Sequence, residues 1–259
     1  MLLAIDSGNT NVVFALFEGE RVVTQWRAAT DQRRTADEYA VWLLHLMQAS
    51  GFDPRAVTGA VISNVVPPLQ RDLKLLCERY FRCTPVTVEE AVVTWGLDIR
   101  LSRPEQVGAD RLANAVGAHA DHGGSLIVID FGTATTFDVV DEDGGYAGGV
   151  IAPGINLSLE ALYAAAARLP RITIEKPARV MGHDTVSAMQ SGVFWGYVGL
   201  IEGLVERIKR ERGGPHKVIG TGGLAPLFSD ATAAIEVVDG DLTLRGMRLL
   251  YERHRAKNS

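Results

Sequence analysis

Lysine is scarce in this chain. Only five occur among the 26 Lys and Arg residues, and none follows a glycine. No GxxxxGK[ST] phosphate loop is therefore present, and any phosphate must be held by backbone N–H groups, hydroxyls, a metal or arginine. Cysteine is scarcer: Cys77 and Cys83 form no CxxC pair, and two thiols make no disulfide framework. No run approaches the ~20 apolar residues that span a bilayer. Asp6 interrupts the apolar N-terminus far short of a secretory leader, so the expectation is a cytoplasmic protein with no membrane partner. The formal net charge is −5, and the basic stretches at 207–212 and 248–257 are short and interleaved with Glu. That excludes the basic footprint of a nucleic-acid partner. The six histidines form no HExxH, and no Ser-His-Asp arrangement is legible.

What is present reads as one strand grammar written twice. Residues 2–5, 12–17 and 22–26 read as strands, 35–48 as a helix, 57–62 as a strand, 67–81 as a proline-started helix and 84–88 as a strand. The pattern restarts with strands at 125–130, 135–140 and 146–151 and helices at 157–167 and 183–212. Short strands at 217–220 and 235–238 and a closing helix at 242–255 follow. LLAIDSGNTNVV repeats as LIVIDFGTATTF at a fixed offset of 124 residues, which pairs Asp6 with Asp130 and Gly8 with Gly132. A long-period repeat marks a duplicated domain rather than a solenoid. The expected fold is α/β: a duplicated actin-like (ribonuclease H-like) ATPase fold, two β-β-β-α-β-α domains with a cleft between them. The domains are expected at 1–104 and 105–259.

Asp6-Ser7-Gly8-Asn9-Thr10-Asn11 ends a strand and turns straight into Val12 and Val13. Successive N–H groups in such a turn make an anion nest, and the Ser7, Asn9 and Thr10 side chains add donors. The Asp6 carboxylate would hold hydrated Mg²⁺ against phosphates rather than bind them itself. DSGNT is also good hairpin chemistry, but its recurrence around Asp130, Gly132 and Thr133 favours the phosphate reading. Gly222 and Gly223, in a GTGG turn after a strand, suit close packing against an adenine or ribose and equally suit a strand-to-helix turn. Asp110, in Gly108-Ala109-Asp110-Arg111, opens a helix and lies about 200° from Leu112 on its buried stripe. It reads either as a solvated N-terminal Asp facing the helix dipole or as a general base. Gly192, Gly196, Gly199 and Gly203 form a stripe on the long helix beside Val193, Tyr197, Leu200 and Leu204. Each glycine costs ~1 kcal/mol against alanine, so the stripe implies close approach of another helix, within the chain or across a homodimer.

Taken together, DSGNTN (6–11), SNVVP (63–67), PEQVGADR (104–111), DFGTATT (130–136), GGVIAPGI (148–155) and GTGG (220–223) resemble the type III pantothenate kinases across nearly the whole chain. The resemblance implies transfer of the ATP γ-phosphoryl group to pantothenate, the first step of coenzyme A synthesis. It implies ATP at residues 6–13 and Thr133, and Asp110 as proton acceptor. Pantothenate would contact Gly108 to Arg111, Leu101 and Thr185, and Asp130 would hold a monovalent cation, K⁺ or NH₄⁺. A homodimer is implied as well. Leu101 stands where an aromatic is common in the family, and Asn64 where a second Ser is usual. The alternatives are another small-molecule kinase of the actin-like superfamily, or a nucleotide-binding regulatory or accessory protein of the same fold.

Overall fold

The computed structural model describes residues 1–166 and 169–258. The strands are β1 (Leu2–Ser7), β2 (Asn11–Glu18), β3 (Arg21–Ala29), β4 (Gly59–Asn64), β5 (Val86–Thr87), β6 (Leu126–Phe131), β7 (Ala134–Val140), β8 (Tyr146–Pro153), β9 (Lys217–Thr221) and β10 (Val237–Val238). The helices are α1 (Ala36–Ala49), α2 (Gln70–Tyr80), α3 (Val88–Trp95), α4 (Ala109–His122), α5 (Ile155–Ala165), α6 (Thr185–Arg212), α7 (Ala225–Ser229) and α8 (Leu242–Asn258). They divide into two compact units, Met1–Asp121 with the chain from Asp241 onward, and His122–Gly240.

In the first unit β1, β2 and β3 form an antiparallel meander, and β4 and β5 add parallel to β1, giving the order β3-β2-β1-β4-β5. Alternation along the strands puts Leu3, Ile5, Phe14, Leu16 and Ile62 into one core with Tyr39, Leu43 and Met47 of α1 and Leu73, Leu76 and Cys77 of α2. Each such large apolar side chain contributes roughly 1.5–3 kcal/mol when fully buried. The second unit repeats the design as β10-β9-β6-β7-β8, with β6, β7 and β8 antiparallel and β9 and β10 parallel. Its core sets Ile127, Ile129 and Phe137 against Phe194, Tyr197, Ile201 and Val205 of α6 and Phe228 of α7. Two sheets of the same order and sense, each led by an Asp-x-Gly turn, make this the duplicated actin-like fold.

Several boundaries differ from expectation. The strand expected at 84–88 is only two residues long, because Val88–Trp95 coils into α3. Thr87 accepts a hydrogen bond from the Glu90 N–H (3.2 Å) while Glu90 accepts from the Thr87 N–H (3.0 Å), a capping box that starts the helix. The helix expected at 67–81 opens with a 3-10 turn at Pro67–Leu69 before α2. The long helix begins at Thr185 rather than 183, because Asp184 takes the cap position and accepts from the Ser187 N–H. The expected helix end at Ala167 lies outside the described residues.

The division between units falls at 121/122 rather than 104/105, and α8 joins the first unit. The repeat locates strands, whereas the helices are assigned by contacts that no repeat reveals. A Cβ added at Gly246 of α8 would sit 1.8 Å from Ala113 O of α4, and one at Gly117 would sit 2.7 Å from Leu242 O. Backbones in such close contact need glycine. Thr243 donates to Asn114 Oδ1 (2.6 Å), and Arg245 pairs with Asp121 (2.8 Å), closing the same seam. Tyr251 of α8 sets its hydroxyl against Gly59 at the start of β4.

Candidate functional site

In the first unit β1 and β4 are parallel and in register, Asp6 against Ser63 and Ser7 against Asn64. Parallel neighbours share a face, so Ser63 reaches Asp6 and its hydroxyl donates to Asp6 Oδ1 at 2.9 Å. The chain then turns through Gly8 to Asn11, closed by the Gly8 N–H on Asn11 O at 2.9 Å. Ser7 is buried, and among the described residues its Oγ has no hydrogen-bond partner. A buried hydroxyl left without a bond at the base of an exposed turn fits a site completed by a bound acceptor such as phosphate. Asn9 and Thr10 are exposed, while Val12 is buried in β2 and Val13 lies opposite Asp6.

The GADR segment reaches the same neighbourhood. A Cβ at Gly108 would lie 3.5 Å from Val65 Cγ1, two residues beyond Ser63, and 2.5 Å from Asp110 Oδ1. Gly108 is thus the narrow point between the β4 exit and the Asp110 carboxylate. Asp110 is half-buried on the first turn of α4, and its Oδ1 accepts the Arg111 N–H at 2.8 Å. The helix N-terminus stabilises the ionised carboxylate there. The first unit therefore gathers Asp6, the 8–11 turn and residues 108–111. Leu101 is half-buried in the bend that leads to the 3-10 turn Pro104–Gln106.

The second unit builds a matching turn around Asp130. The parallel neighbour of Asp130 is Thr221 of β9, again a hydroxyl residue. The next residue, Gly222, has φ +88°, and a Cβ there would lie 2.9 Å from Asp130 Oδ1 and 2.7 Å from Phe131 O. A Cβ there would also lie 2.9 Å from the Phe131 N, so the position has room only for glycine, while the Asp130 carboxylate and the Phe131 carbonyl are oxygen donors of the kind K⁺ or NH₄⁺ takes. Thr133 and Gly223 are exposed beside them. Tyr197 of α6 braces this region, bonded to the Thr135 hydroxyl and donating to Pro153 O at 3.3 Å. Burial pushes the Tyr197 phenol up, against the opposing pull of the Thr135 bond, so it stays a neutral donor. One strand further, fully buried Asp138 accepts from Tyr146 (2.6 Å) and Thr136 (2.9 Å). Thr185 is exposed at the start of α6, where the Ser187 N–H holds the capping Asp184 carboxyl below its ordinary value.

Among the described residues no group of three or more His, Cys, Asp or Glu side chains forms a metal cage. Single carboxylates at strand ends instead suit Mg²⁺ held largely through water and substrate phosphates. Reading residues alone missed Ser63 and Thr221 as partners of the two aspartates, along with Tyr197. The signal for the first two was available, since parallel strands that end together place their last hydroxyls beside Asp6 and Asp130.

The family model described as Type III pantothenate kinase matches residues 2–207. A type III pantothenate kinase of Paramagnetospirillum magneticum is 59% identical over 254 residues, covering 98% of each chain. One of Rhodospirillum rubrum is 57% identical over 255 residues, covering 98% of this chain and 99% of its own. Among solved structures, a conserved putative Baf family transcriptional activator from Campylobacter jejuni aligns with TM-score 0.62 at 20% identity, over 98% and 99% of the two chains. A putative 2-dehydro-3-deoxygalactonokinase from Sinorhizobium meliloti aligns with TM-score 0.58 at 15% identity, over 99% and 96%. These two likenesses concern the fold.

Proposed function

The chain belongs to the type III pantothenate kinase family, and we propose how its residues share the work of that reaction. The enzyme uses ATP to phosphorylate pantothenate, the first step of coenzyme A synthesis. Residues 6–13 and Thr133 hold the ATP phosphates through backbone N–H groups and hydroxyls, and Gly222 and Gly223 pack against the nucleoside. Asp6 holds Mg²⁺ and Asp130 the monovalent cation; these ions supply charge neutralisation for the transferring phosphoryl group. Gly108 to Arg111, Leu101 and Thr185 contact pantothenate.

The primary hydroxyl of pantothenate attacks the γ-phosphorus in line. The transition state is loose, so positioning and charge neutralisation outweigh base strength. Asp110 orients the hydroxyl and takes its proton late. The observation that carries this assignment is the placement of the GADR helix start against Val65, just past the strand end where Ser63 holds Asp6. Val65 in turn donates its N–H to Ser7 O at 3.0 Å, which supports an Asp110 carboxylate that works beside the first phosphate turn.

A homodimer is part of the same reading. Gly192, Gly196 and Gly199 are exposed, and among the described residues nothing lies within 4 Å of a Cβ added at any of them. Among the described residues a Cβ at Gly203 would meet only Arg207 of its own helix. The packing reason for the stripe is then supplied by a second copy. The proposal sets the reaction in the cytoplasm, where coenzyme A synthesis would draw on its product; among the described residues no helix is long and apolar enough to cross a membrane.

The test is ADP release from ATP and Mg²⁺, with and without pantothenate, in potassium and then sodium buffer. Dependence on both pantothenate and potassium supports the substrate and the cation at once. Turnover that ignores pantothenate would overturn the substrate, and equal rates in the two buffers would overturn the cation.

A further inference from the structure

We propose that Thr30 and Gly154 are positioning residues for the two phosphate turns, holding their backbones so that amide N–H groups face the nucleotide. This rests on the reading that those turns bind ATP phosphates. Thr30 directly follows β3 and Gly154 directly follows β8, the third strand of each repeat. They stand 124 residues apart, the same offset that relates Asp6 to Asp130 and Gly8 to Gly132. Neither touches the substrate in this account; each acts through the turn it holds.

Thr30 makes two bonds to the first turn. Its hydroxyl donates to Gly8 O at 2.6 Å, and its backbone N–H donates to Thr10 O at 3.0 Å. In a planar trans peptide the C=O of one residue and the N–H of the next point to opposite sides. Holding the Gly8 carbonyl toward Thr30 therefore turns the Asn9 N–H away from it, and holding the Thr10 carbonyl does the same for Asn11. The second turn is held by fewer bonds and tighter packing. The Gly154 N–H donates to Thr133 O at 3.1 Å, which turns the Ala134 N–H away. A Cβ at Gly154 would lie 2.2 Å from Thr133 O, 2.7 Å from Gly132 O and 2.8 Å from Thr133 C. Its φ of −65° is ordinary for any residue, so glycine is required there for space alone. Gly154 also caps α5, with Ser158 donating to its carbonyl through backbone (2.9 Å) and hydroxyl (3.0 Å), which fixes the brace to a helix.

A hydrogen bond whose loss leaves a carbonyl unpaired corresponds to about five- to a hundredfold in an equilibrium constant. Thr30→Val keeps the shape and removes the hydroxyl, whereas Thr30→Ser keeps the hydroxyl. In the full-length enzyme, Thr30→Val is expected to raise KM for ATP about tenfold while KM for pantothenate stays near wild type and Tm falls by no more than a few degrees. Thr30→Ser is expected to restore KM for ATP to within about twofold of wild type. Gly154→Ala must push the second turn aside by the better part of an ångström, and kcat/KM for ATP should fall about a hundredfold. An unchanged KM for ATP in Thr30→Val, or a Ser variant as impaired as Val, overturns the inference without relying on whether Gly154→Ala folds. Asp6→Asn serves as the reference. If it impairs turnover and Thr30→Val does not, only this inference falls. If it too leaves turnover untouched, the turn is not the phosphate site, and the reading falls together with the inference.

Discussion

Replacing Gly108 by alanine tests the role of Asp110 without touching its charge. The added methyl would lie 2.5 Å from Asp110 Oδ1 and 3.5 Å from Val65 Cγ1. Real Cβ contacts essentially never fall below 3.0 Å, so the carboxylate must retreat by at least about half an ångström. The oxygen displaced is the one held by the Arg111 N–H, so the retreat strains that bond as well. A misplacement of about 1 Å near the reacting atoms costs about a hundredfold in rate, and half that distance about tenfold. Gly108→Ala should therefore lower kcat about ten- to a hundredfold. KM for ATP should hold, and Tm should fall little because the strain is relieved by one side-chain rotation. Asp110→Asn sets the scale, since loss of a general base costs about a hundred- to ten-thousandfold in rate. Steady-state kinetics with pantothenate varied at saturating ATP would measure both. A Gly108→Ala enzyme with kcat unchanged, beside an impaired Asp110→Asn, would show that the position of the carboxylate does not limit the reaction. Unchanged kcat in both would remove Asp110 from the mechanism.

Gly196→Leu places a side chain in space that is open in a single chain, so the monomer should keep its stability or gain a little helix propensity. Light scattering should show its mass shifting from dimer to monomer; a Leu variant that stays dimeric removes the glycine stripe from the interface. Tyr197→Phe leaves the buried Thr135 hydroxyl and Pro153 O without their phenol partner, and should cost about 1–3 kcal/mol in urea unfolding. A change below a few tenths of that range would show that Tyr197 is a packing residue only. Burial raises the Cys77 thiol well above its ordinary value of 9.0. Below pH 9 both states hold the proton; above it the unfolded chain loses the proton and the folded one keeps it. Stability should then fall by up to about 1.4 kcal/mol per pH unit. Urea midpoints between pH 8 and 10 should show this slope in the wild type and not in Cys77→Ala, and equal slopes would refute it.

The sheets were legible in the sequence because a duplicated strand-turn unit leaves a linear trace. Asp6, Gly8, Asp130 and Gly132 could be aligned by inspection, and their strands by alternation. The α3 helix was not foreseen although its capping box, Thr87 to Glu90, stood in the sequence, because the alternation Val86-Thr87-Val88 reads equally as strand. The place of α4 and α8 was not legible at all. It depends on Gly117 and Gly246 allowing two backbones to touch across more than a hundred residues of chain, and isolated glycines in a helical pattern read as costs until their neighbours are known. Thr30 was hidden for a related reason: it stands outside every motif, and its bonds to Gly8 and Thr10 form only when β3 returns beside the turn.

The repeat copied a frame and let the chemistry diverge at fixed points of it. Each aspartate stands one residue before the end of a central strand with a hydroxyl residue as its parallel neighbour, Ser63 for Asp6 and Thr221 for Asp130. One residue further the halves part. After Ser63 comes Asn64, whose Oδ1 accepts the Val66 N–H and so directs the chain toward Val65 and Gly108. After Thr221 comes Gly222, folded back at positive φ onto Asp130 itself. The first arrangement leads away from its aspartate toward the Gly108–Asp110 segment, whereas the second folds back beside the aspartate it already has. Under the proposed reading, the general base Asp110 goes with the first half and the monovalent cation at Asp130 with the second, and only Asp6 and Asp130 are equivalent in the repeat.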